Sequence, residues 1–575
     1  MHTFELWAPR ADNVALRIRE VTHAMEPLDG GCWSVTVPDA GPGIDYMFIV
    51  DDGKPVPDPR SNWQPSGVHG ASRLVDHSRF SWTDRHWQAI PLPAGVIYEL
   101  HIGTFTPGGT FRAGIECLDH LVRLGITHVE LMPVNEFSGD WGWGYDGVDL
   151  YSPHHAYGSP DDLKALVDAC HAKGLAIVLD VVYNHFGPSG NYLNQFGPYT
   201  TEAYKTPWGS AVNLDRAGSD QVRRFFCDNA LMWLRDYHFD GLRLDAVHAF
   251  IDRSAVHFLE QLASEVDALA SELGRHLVLI AESDLNDPRI VTSREANGYG
   301  IDAQWSDDFH HALHTVLTGE HNGYYEDFGS LAQLAKALHQ AYVFDGIYSP
   351  HRDRMHGRPP AKLSGHHFLA YAQNHDQVGN RARGERLSQL VTLGRQKIAA
   401  ALVLTSPFVP MLFQGEEFGA STPFLYFTHH EDPDLARKVS EGRRGEFKAF
   451  GWDPEQVPDP QNPATFERSK LDWSEVHQQP HASILQWHKD LIALRRSQPS
   501  LTSGRMHEVD VQFDERARWF SVRRGNVQVT CNLAADRQAL PLARKPGRVL
   551  ASEIDYQLRP GIIELPADSV AIAVF

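Results

Sequence analysis

The sequence predicts an α/β protein: a (β/α)8 TIM barrel with insertions, flanked by an N-terminal β-sandwich and a C-terminal antiparallel β domain. Two patterns carry this reading. Over residues 91–501, eight short apolar runs alternate with segments of helical periodicity, whereas residues 1–90 and 502–575 alternate with period two. Length agrees. At about 150 residues per domain, 575 residues suggest nearly four units, and a barrel can absorb about 250 or more of them in one.

In the first zone, Val14/Leu16/Ile18, Trp33/Val35/Val37 and Tyr46/Phe48/Val50 alternate between the turn segments ADN, DGG, PDAGPG and DDG. Such short strands and turns fit a small immunoglobulin-like sandwich. HWQAIPLPAG (86–95) reads as a linker. The barrel strands are then VIYELHI, HVELMPV, LAIVLDVVY, GLRLDAV, HLVLIAE, IDAQW, HFLAYAQN and VPMLFQG. Helical spacing appears between them, for example Phe111, Ile115, Leu118 and Leu121/Val122, and in SAVHFLEQLASEVDALASELG and SILQWHKDLIALRRSQP. Strands buried on both faces and alternating with helices imply a parallel sheet with right-handed crossovers. Residues 184–220 read as an insertion after the third strand. Phe520/Val522 and Val527/Val529/Cys531 open the last β domain.

Composition narrows the class. With 42% hydrophobic and 22% charged residues the chain has material for packed cores. Its formal charge of −21 repels phosphate backbones and anionic lipids, so neither nucleic acid nor a membrane surface is expected as a partner. Five scattered cysteines without a CxxC pair fit a reduced, cytoplasmic setting. The start, MHTFELWAPRADNV, lacks a basic segment followed by an apolar run, so no secretory signal is expected. The longest apolar stretch (398–413) is broken by Pro407 and Pro410, and it reads as a buried helix followed by a buried strand. The 32 histidines read mostly as surface groups.

A barrel places its chemistry at the C-terminal ends of its strands. There the sequence puts Asp180, Asn184 and His185 after the third run, and Arg243, Asp245 and His248 after the fourth. Glu282 and Asp284 follow the fifth, Asn374, His375 and Asp376 the seventh, and Glu416 and Glu417 the eighth. Such a set fits divalent-metal hydrolysis. It also fits a glycosidase with one carboxylate as nucleophile and another as proton donor. Aromatic residues near the strand ends (Trp141, Trp143, Tyr145, Tyr183, Trp208, Trp305) favour sugar, whose CH faces stack on rings.

DVVYNH (180–185), GLRLDAVH (241–248), IAES (280–283) and QNHD (373–376) resemble, in order, the four signature regions of the α-amylase family of glycoside hydrolases. Flanking segments are similar to the malto-oligosyltrehalose trehalohydrolases within it: DPRSNWQPSGVHG (58–70), YELHIGTFT (98–106), WGYDGV (143–148), AESDLND (281–287), QNHDQVGNRARGERLS (373–388), PMLFQGEEFGASTPFLYFTHH and EGRRGEF beginning at Glu441. The resemblance implies Asp245 as nucleophile, Glu282 as general acid/base and Asp376 as transition-state stabiliser. It implies Arg243 beside the nucleophile, His185 and His375 on sugar hydroxyls, and Tyr145 stacked on the ring. Its implied substrate is malto-oligosyltrehalose, a neutral glucan, with trehalose as product. It implies no cofactor, and no cluster insists on calcium or another metal. Asp284, Trp208 and Trp305 are further candidates for the leaving-group pocket. A branching enzyme and an inactive amylase-like binding protein are the competing readings.

Overall fold

The computed structural model describes residues 1–360, 363–448 and 456–575. Eight strands close a barrel in chain order: β1 (Ile97–Leu100), β2 (His128–Leu131), β3 (Ala176–Val181), β4 (Gly241–Leu244), β5 (Val278–Ala281), β6 (Ala303–Trp305), β7 (Phe368–Ala370) and β8 (Val409–Phe413). Every neighbouring pair is parallel, and β8 closes on β1. Each strand lies within one of the eight expected apolar runs. Most runs overshoot their strand at the C-terminal end, where the chain leaves the sheet, and Asp245, Glu282 and, just past the seventh run, His375 and Asp376 lie there at the barrel mouth.

Alternation along the strands sorts the side chains into two separate cores. Ile97, Val178, Ile280, Ala303, Trp305, Leu369, Tyr371, Val409 and Met411 pack together inside the barrel. Their chain neighbours Tyr98, Ile177, Leu179, Leu279, Phe368 and Leu412 belong instead to the large outer core beneath the helices. Period two then dictates what comes next on the inner face. Two residues beyond Ile97 stands Glu99, beyond Val178 stands Asp180, and beyond Ile280 stands Glu282. The lower barrel is apolar, and its upper layer is charged.

Both flanking regions are antiparallel β structures. His2–Trp7, Cys32–Val37 and Glu26–Leu28 form one N-terminal sheet, and Val21–Ala24, Val14–Ile18, Asp45–Val50 and Ser72–Arg73 the other. At the C-terminus a five-stranded sheet (Asp510–Asp514, Trp519–Arg524, Val527–Asn532, Ser569–Val574, Arg548–Ala551) is accompanied by a three-stranded one. The 398–413 stretch is the helix Leu393–Leu404 followed by β8, as expected. The FRAGIECLDHLVRLG segment divides into two helices, Phe111–Glu116 and Leu118–Leu124, that meet at Cys117.

Two expectations need correction. Many of the histidines are buried, among them His101, His128, His310, His311 and His314. Burial pushes His101 and His311 down to about 3 and His128 to about 4, so they pack as neutral rings. The 86–95 segment is no loose linker either. Trp87 stacks on His171, with ring centroids 4.6 Å apart, and its indole N–H donates to Asp240 at 2.8 Å.

Asp240 is the centre of a latch on the lower side of the barrel. Besides Trp87 it accepts hydrogen bonds from His171 Nε2 (3.0 Å), the Ile177 amide (3.0 Å) and Arg275 (2.8 Å). His171 Nδ1 lies 2.9 Å from Asp84, which also engages His238 at 2.7 Å. Burial opposes charge on His171, but Asp240 and Asp84 outweigh it and hold its pKa above the ordinary imidazole value. Asp240→Ala leaves several buried donors unpaired and should cost about 3 kcal/mol in urea unfolding at neutral pH. The contribution from charged His171 is fully present below its unfolded pKa of about 6.5 and is lost as pH rises through the raised folded value. The destabilisation caused by His171→Gln should therefore shrink between pH 6 and pH 9. A constant difference across that range would exclude a charged His171.

Candidate active site

At the mouth of the barrel lies a cleft of about 380 Å³, lined by Trp143, Tyr145, Asp146, His185, Trp208, Asp245, Ala246, His248, Glu282, His375, Asp376, Tyr426 and Thr428. Six of the seven residues to which the family resemblance gives roles line it. The seventh, Arg243, lies directly below.

Arg243 organises the carboxylates. Its side chain is wholly buried, and Nη1 donates to Asp180 Oδ2 at 2.7 Å and Asp245 Oδ1 at 2.8 Å, while Nη2 lies 3.0 Å from Glu282 Oε2. Register explains the convergence: Arg243 on β4 pairs with Asp180 on β3 and Ile280 on β5, which places Glu282 two residues further along the same inner face. Beneath the guanidinium, its carbon lies 4.2 Å from the centroid of the Trp305 ring. Trp305 is 1% exposed, so it is a floor for Arg243 and not part of a leaving-group pocket. Tyr183 is also a packing residue, buried with its hydroxyl donated to Asn229 at 2.6 Å.

The two carboxylates beside Arg243 are held differently. Asn184 Nδ2 donates to Asp245 Oδ2 at 2.6 Å and to its carbonyl at 2.9 Å. Glu282 Oε2 instead accepts the Ala246 amide at 2.7 Å. Ala246 adopts φ 41° and ψ 51°, a left-handed conformation unusual for a residue with a Cβ, and this aims its N–H at Glu282. Burial, with Asp245 and Asp376 nearby, raises the Glu282 pKa well above the usual carboxyl range, against the pull of Arg243. Asp180, likewise buried, is pushed up to about 6.

Two loops complete the wall. In the loop after β2, Gly144 (φ 98°) makes a turn in which any side chain would run into the Pro133 carbonyl, and Trp143 and Tyr145 flank it. Tyr145 donates to Asp180 at 2.7 Å and stacks on His375 at 5.1 Å. The expected insertion after β3 is real. Its hairpin, Thr200–Thr206 with Gly209–Val212, carries Trp208, which is 47% exposed and stacks on His185 at 5.0 Å. Asp284 does not line the cleft and lies 3.6 Å from Arg352. Asn184 and His248 belong to the site, although the sequence marks them only as polar residues at strand ends. Trp143 was visible as an aromatic residue; Tyr426 and Thr428 carried no signal beyond lying in a segment similar to the family.

Glu136, His154 and His155 bring possible metal-ligand atoms within 4.8 Å of one another. They engage each other, with His155 Nδ1 2.8 Å from Glu136 Oε1, and none lines the cleft. Among the described residues no helix is long and apolar enough to cross a membrane.

The profile described as alpha amylase, catalytic domain, matches residues 76–208, and a domain of unknown function, DUF3459, matches residues 505–572. The malto-oligosyltrehalose trehalohydrolase of Arthrobacter ramosus is 51% identical, with 99% of both chains covered. Those of Rhizobium sp. (strain M-11) and Mycobacterium tuberculosis (strain H37Rv) are each 49% identical over 99% and 100% of this chain, and 97% and 99% of their own. The chain belongs to the malto-oligosyltrehalose trehalohydrolase family. It is thus a glycoside hydrolase of the α-amylase family. A branching enzyme of Corynebacterium jeikeium is more distant, at 30% identity over 77% of this chain and 64% of its own. In fold, this trehalohydrolase-family chain superposes on a crystal structure from Salmonella typhimurium provisionally described as an alpha amylase, with TM-score 0.91, 38% identity and coverage of 100% and 97%. A pullulanase of Anoxybacillus sp. LM18-11, solved with maltotetraose, shares the fold at TM-score 0.74 and 19% identity, with coverage of 100% and 86%.

Arg243→Lys keeps a charge but cannot hold three carboxylates from one planar fork. It should lower kcat/KM about 10²–10³-fold in a folded protein, as checked by steady-state kinetics beside a thermal melt.

Proposed function

We propose that this enzyme hydrolyses the α-1,4 bond next to the terminal trehalose unit of malto-oligosyltrehalose by double displacement, releasing trehalose and a shortened maltodextrin. The observation that carries the mechanism is the pairing of Asp245 and Glu282 across the Arg243 guanidinium, in a cleft walled by aromatic rings.

Asp245, held by Arg243 and Asn184, attacks the anomeric carbon. Glu282, whose pKa burial and the neighbouring Asp245 raise well above the usual carboxyl range, donates its proton to the departing glycosidic oxygen. A glycosyl ester on Asp245 results. Glu282, now a carboxylate, draws a proton from water, which attacks the same carbon and restores the α configuration. Asp376, at the rim beside His375, holds hydroxyls of the distorted ring. His185 and His375 serve the same sugar, and Tyr145 lies against its face.

The leaving trehalose belongs beyond Asp376. A second crevice of about 160 Å³ opens there, with Glu320, Asn322, Tyr324, Asn380 and Arg381 among its lining residues, and Asn380 Nδ2 donates to Asp376 Oδ1 at 3.3 Å. Polar groups that require particular hydroxyls discriminate more strongly than apolar ones. Full-length similarity to enzymes named for this reaction supports the choice of substrate over that of a branching enzyme. A cytoplasmic setting is part of the reading, supported by five unpaired cysteines.

Maltotriosyltrehalose should yield trehalose and maltotriose on chromatography; branched glucans without trehalose would refute the reading. Asp245→Ala should nearly abolish turnover while sugar binding persists. Glu282→Gln should lose about 10²–10⁴-fold on the same substrate. Its glycosylation step should recover with α-maltosyl fluoride, whose leaving group needs no proton. Tyr324→Ala should raise KM for maltotriosyltrehalose more than for maltopentaose, which lacks the trehalose unit.

A further inference from the structure

We infer that Glu99, on β1 and outside the catalytic set proposed above, is a positioning residue that fixes the direction of a hydrogen-bond relay running from His375 through Tyr145 to Asp180. The inference rests on the proposed roles of His375 and Tyr145 and adds what keeps them in register with the reacting carboxylates.

Glu99 is 1% exposed and spends both oxygens on one residue. Oε1 lies 2.5 Å from His375 Nδ1, and Oε2 accepts the His375 amide at 3.1 Å. A carboxylate can only accept, so Nδ1 must carry a hydrogen. On the other side of the ring, Nε2 lies 2.8 Å from the Tyr145 hydroxyl. Tyr145 has a single proton, and that proton goes to Asp180 Oδ2 at 2.7 Å, the same oxygen that accepts Arg243 Nη1 at 2.7 Å. The Tyr145 oxygen must then accept from Nε2–H. Both ring nitrogens therefore donate, and His375 is an imidazolium. The order is unique: His375 donates to Glu99 and to Tyr145, Tyr145 to Asp180, and Arg243 to Asp180 and Asp245.

The surroundings of His375 agree. Glu99 and His101 face it from β1 and its end, Glu130 from β2, Tyr145 from the following loop, Asp180 from β3, Arg243 from β4 and Asp376 from its own element. Burial disfavours the charge and Arg243 adds to that, but Asp376 and Glu99 outweigh them and raise the His375 pKa to about 9. Glu130, paired with Glu99 in the β1–β2 register, does not compete for the ring. Neither of its oxygens has a hydrogen-bond partner, and burial, then Glu99, pushes its pKa well above the carboxyl range.

A glutamine at position 99 would still accept from Nδ1 but would no longer balance the charge. Neutral His375 would then present a bare Nε2, which would draw the Tyr145 proton away from Asp180 and reverse the relay. The test follows kcat and KM for trehalose release from maltotriosyltrehalose between pH 5 and pH 10, for the wild type, Glu99→Gln and Glu99→Asp. Glu99→Gln should move the alkaline limb of kcat down by at least about one pH unit. This corresponds to roughly a tenfold lower kcat on that limb, with KM changed less than threefold. Acidification should restore activity, and Glu99→Asp should restore the limb. A uniform loss of kcat with an unmoved limb would mean a merely structural role and would overturn the inference, as would a wild-type profile. In ¹⁵N-histidine spectra of the wild type, with His375 assigned against His375→Gln, the ring should be doubly protonated at pH 7.5; a neutral ring would overturn the relay even if Glu99→Gln fails to fold. A wild type that releases no trehalose would refute the substrate assignment alone, since the ring spectrum is read independently of turnover.

Discussion

A guanidinium buried beneath three carboxylates is the constraint on which the upper half of the barrel depends. Taking such an ion out of water costs several kcal/mol, and the cost is recovered only where geometry and hydrogen bonding are nearly complete. Arg243 offsets it with Nη1 hydrogen bonds to Asp180 and Asp245, the Glu282 carboxylate beside Nη2 and the Trp305 face below it. Each partner comes from a different strand or loop. The β3–β4–β5 register therefore cannot slip by one residue without moving a carboxylate to the outer, apolar core. The same register that closes the barrel also brings the proposed catalytic carboxylates together.

This dependence explains why so much could be read from the sequence. The eight strands were visible because buried parallel strands are continuous apolar runs, and a charged residue ending such a run has few places to go but the barrel mouth. Asp245, Glu282, Asp376, His185 and His375 carried that signal, whereas Tyr145 was marked by its aromatic ring and by the family resemblance. Other features were hidden by ambiguity of context. Glu99 and Glu130 sit within apolar runs, where a lone carboxylate looks like an irregularity; only the inner-face parity, counted two residues from Ile97 and His128, shows that they point inward. Trp305 gave the same signal as a sugar platform because an aromatic residue at a strand end can serve either a ligand or a buried cation. Trp87 lay in a Pro-rich stretch whose composition says linker, although its indole anchors the barrel floor. The buried histidines, including His310, His311 and His314 on the helix after β6, follow helix faces that burial decides and composition does not.

Local backbone geometry supplies what side-chain identity cannot. Ala246 and Gly144 both take positive φ next to the cleft, a conformation strained for the alanine and open to the glycine. The first turns an amide toward Glu282, and the second lets Trp143 and Tyr145 flank one turn at the cleft wall. Neither could be inferred from residue type alone, since alanine does not announce a positive φ. Insertion length is similarly mute: residues 184–220 are recognisable as an insertion, but that its hairpin returns Trp208 to stack on His185 is a matter of packing.

The proposed cycle gives the shared guanidinium a specific advantage. Before attack, Asp245 carries a negative charge and Glu282 a proton. In the glycosyl ester Asp245 is neutral and Glu282 is charged. The total carboxylate charge beside Arg243 is the same in both states, and it has only crossed from Nη1 to Nη2 of one rigid, delocalised cation. The environment therefore need not reorganise as the charge moves, which is the condition under which fixed dipoles and ions lower a barrier most. The Ala246 amide, 2.7 Å from Glu282, is already aimed at the oxygen where the charge arrives, and Asn184 stays on the oxygen it leaves. Surface charge has no part in this exchange. The −21 of the whole chain and the balance around Arg243 are separate quantities, because the first is screened by solvent and the second is buried where screening is weak.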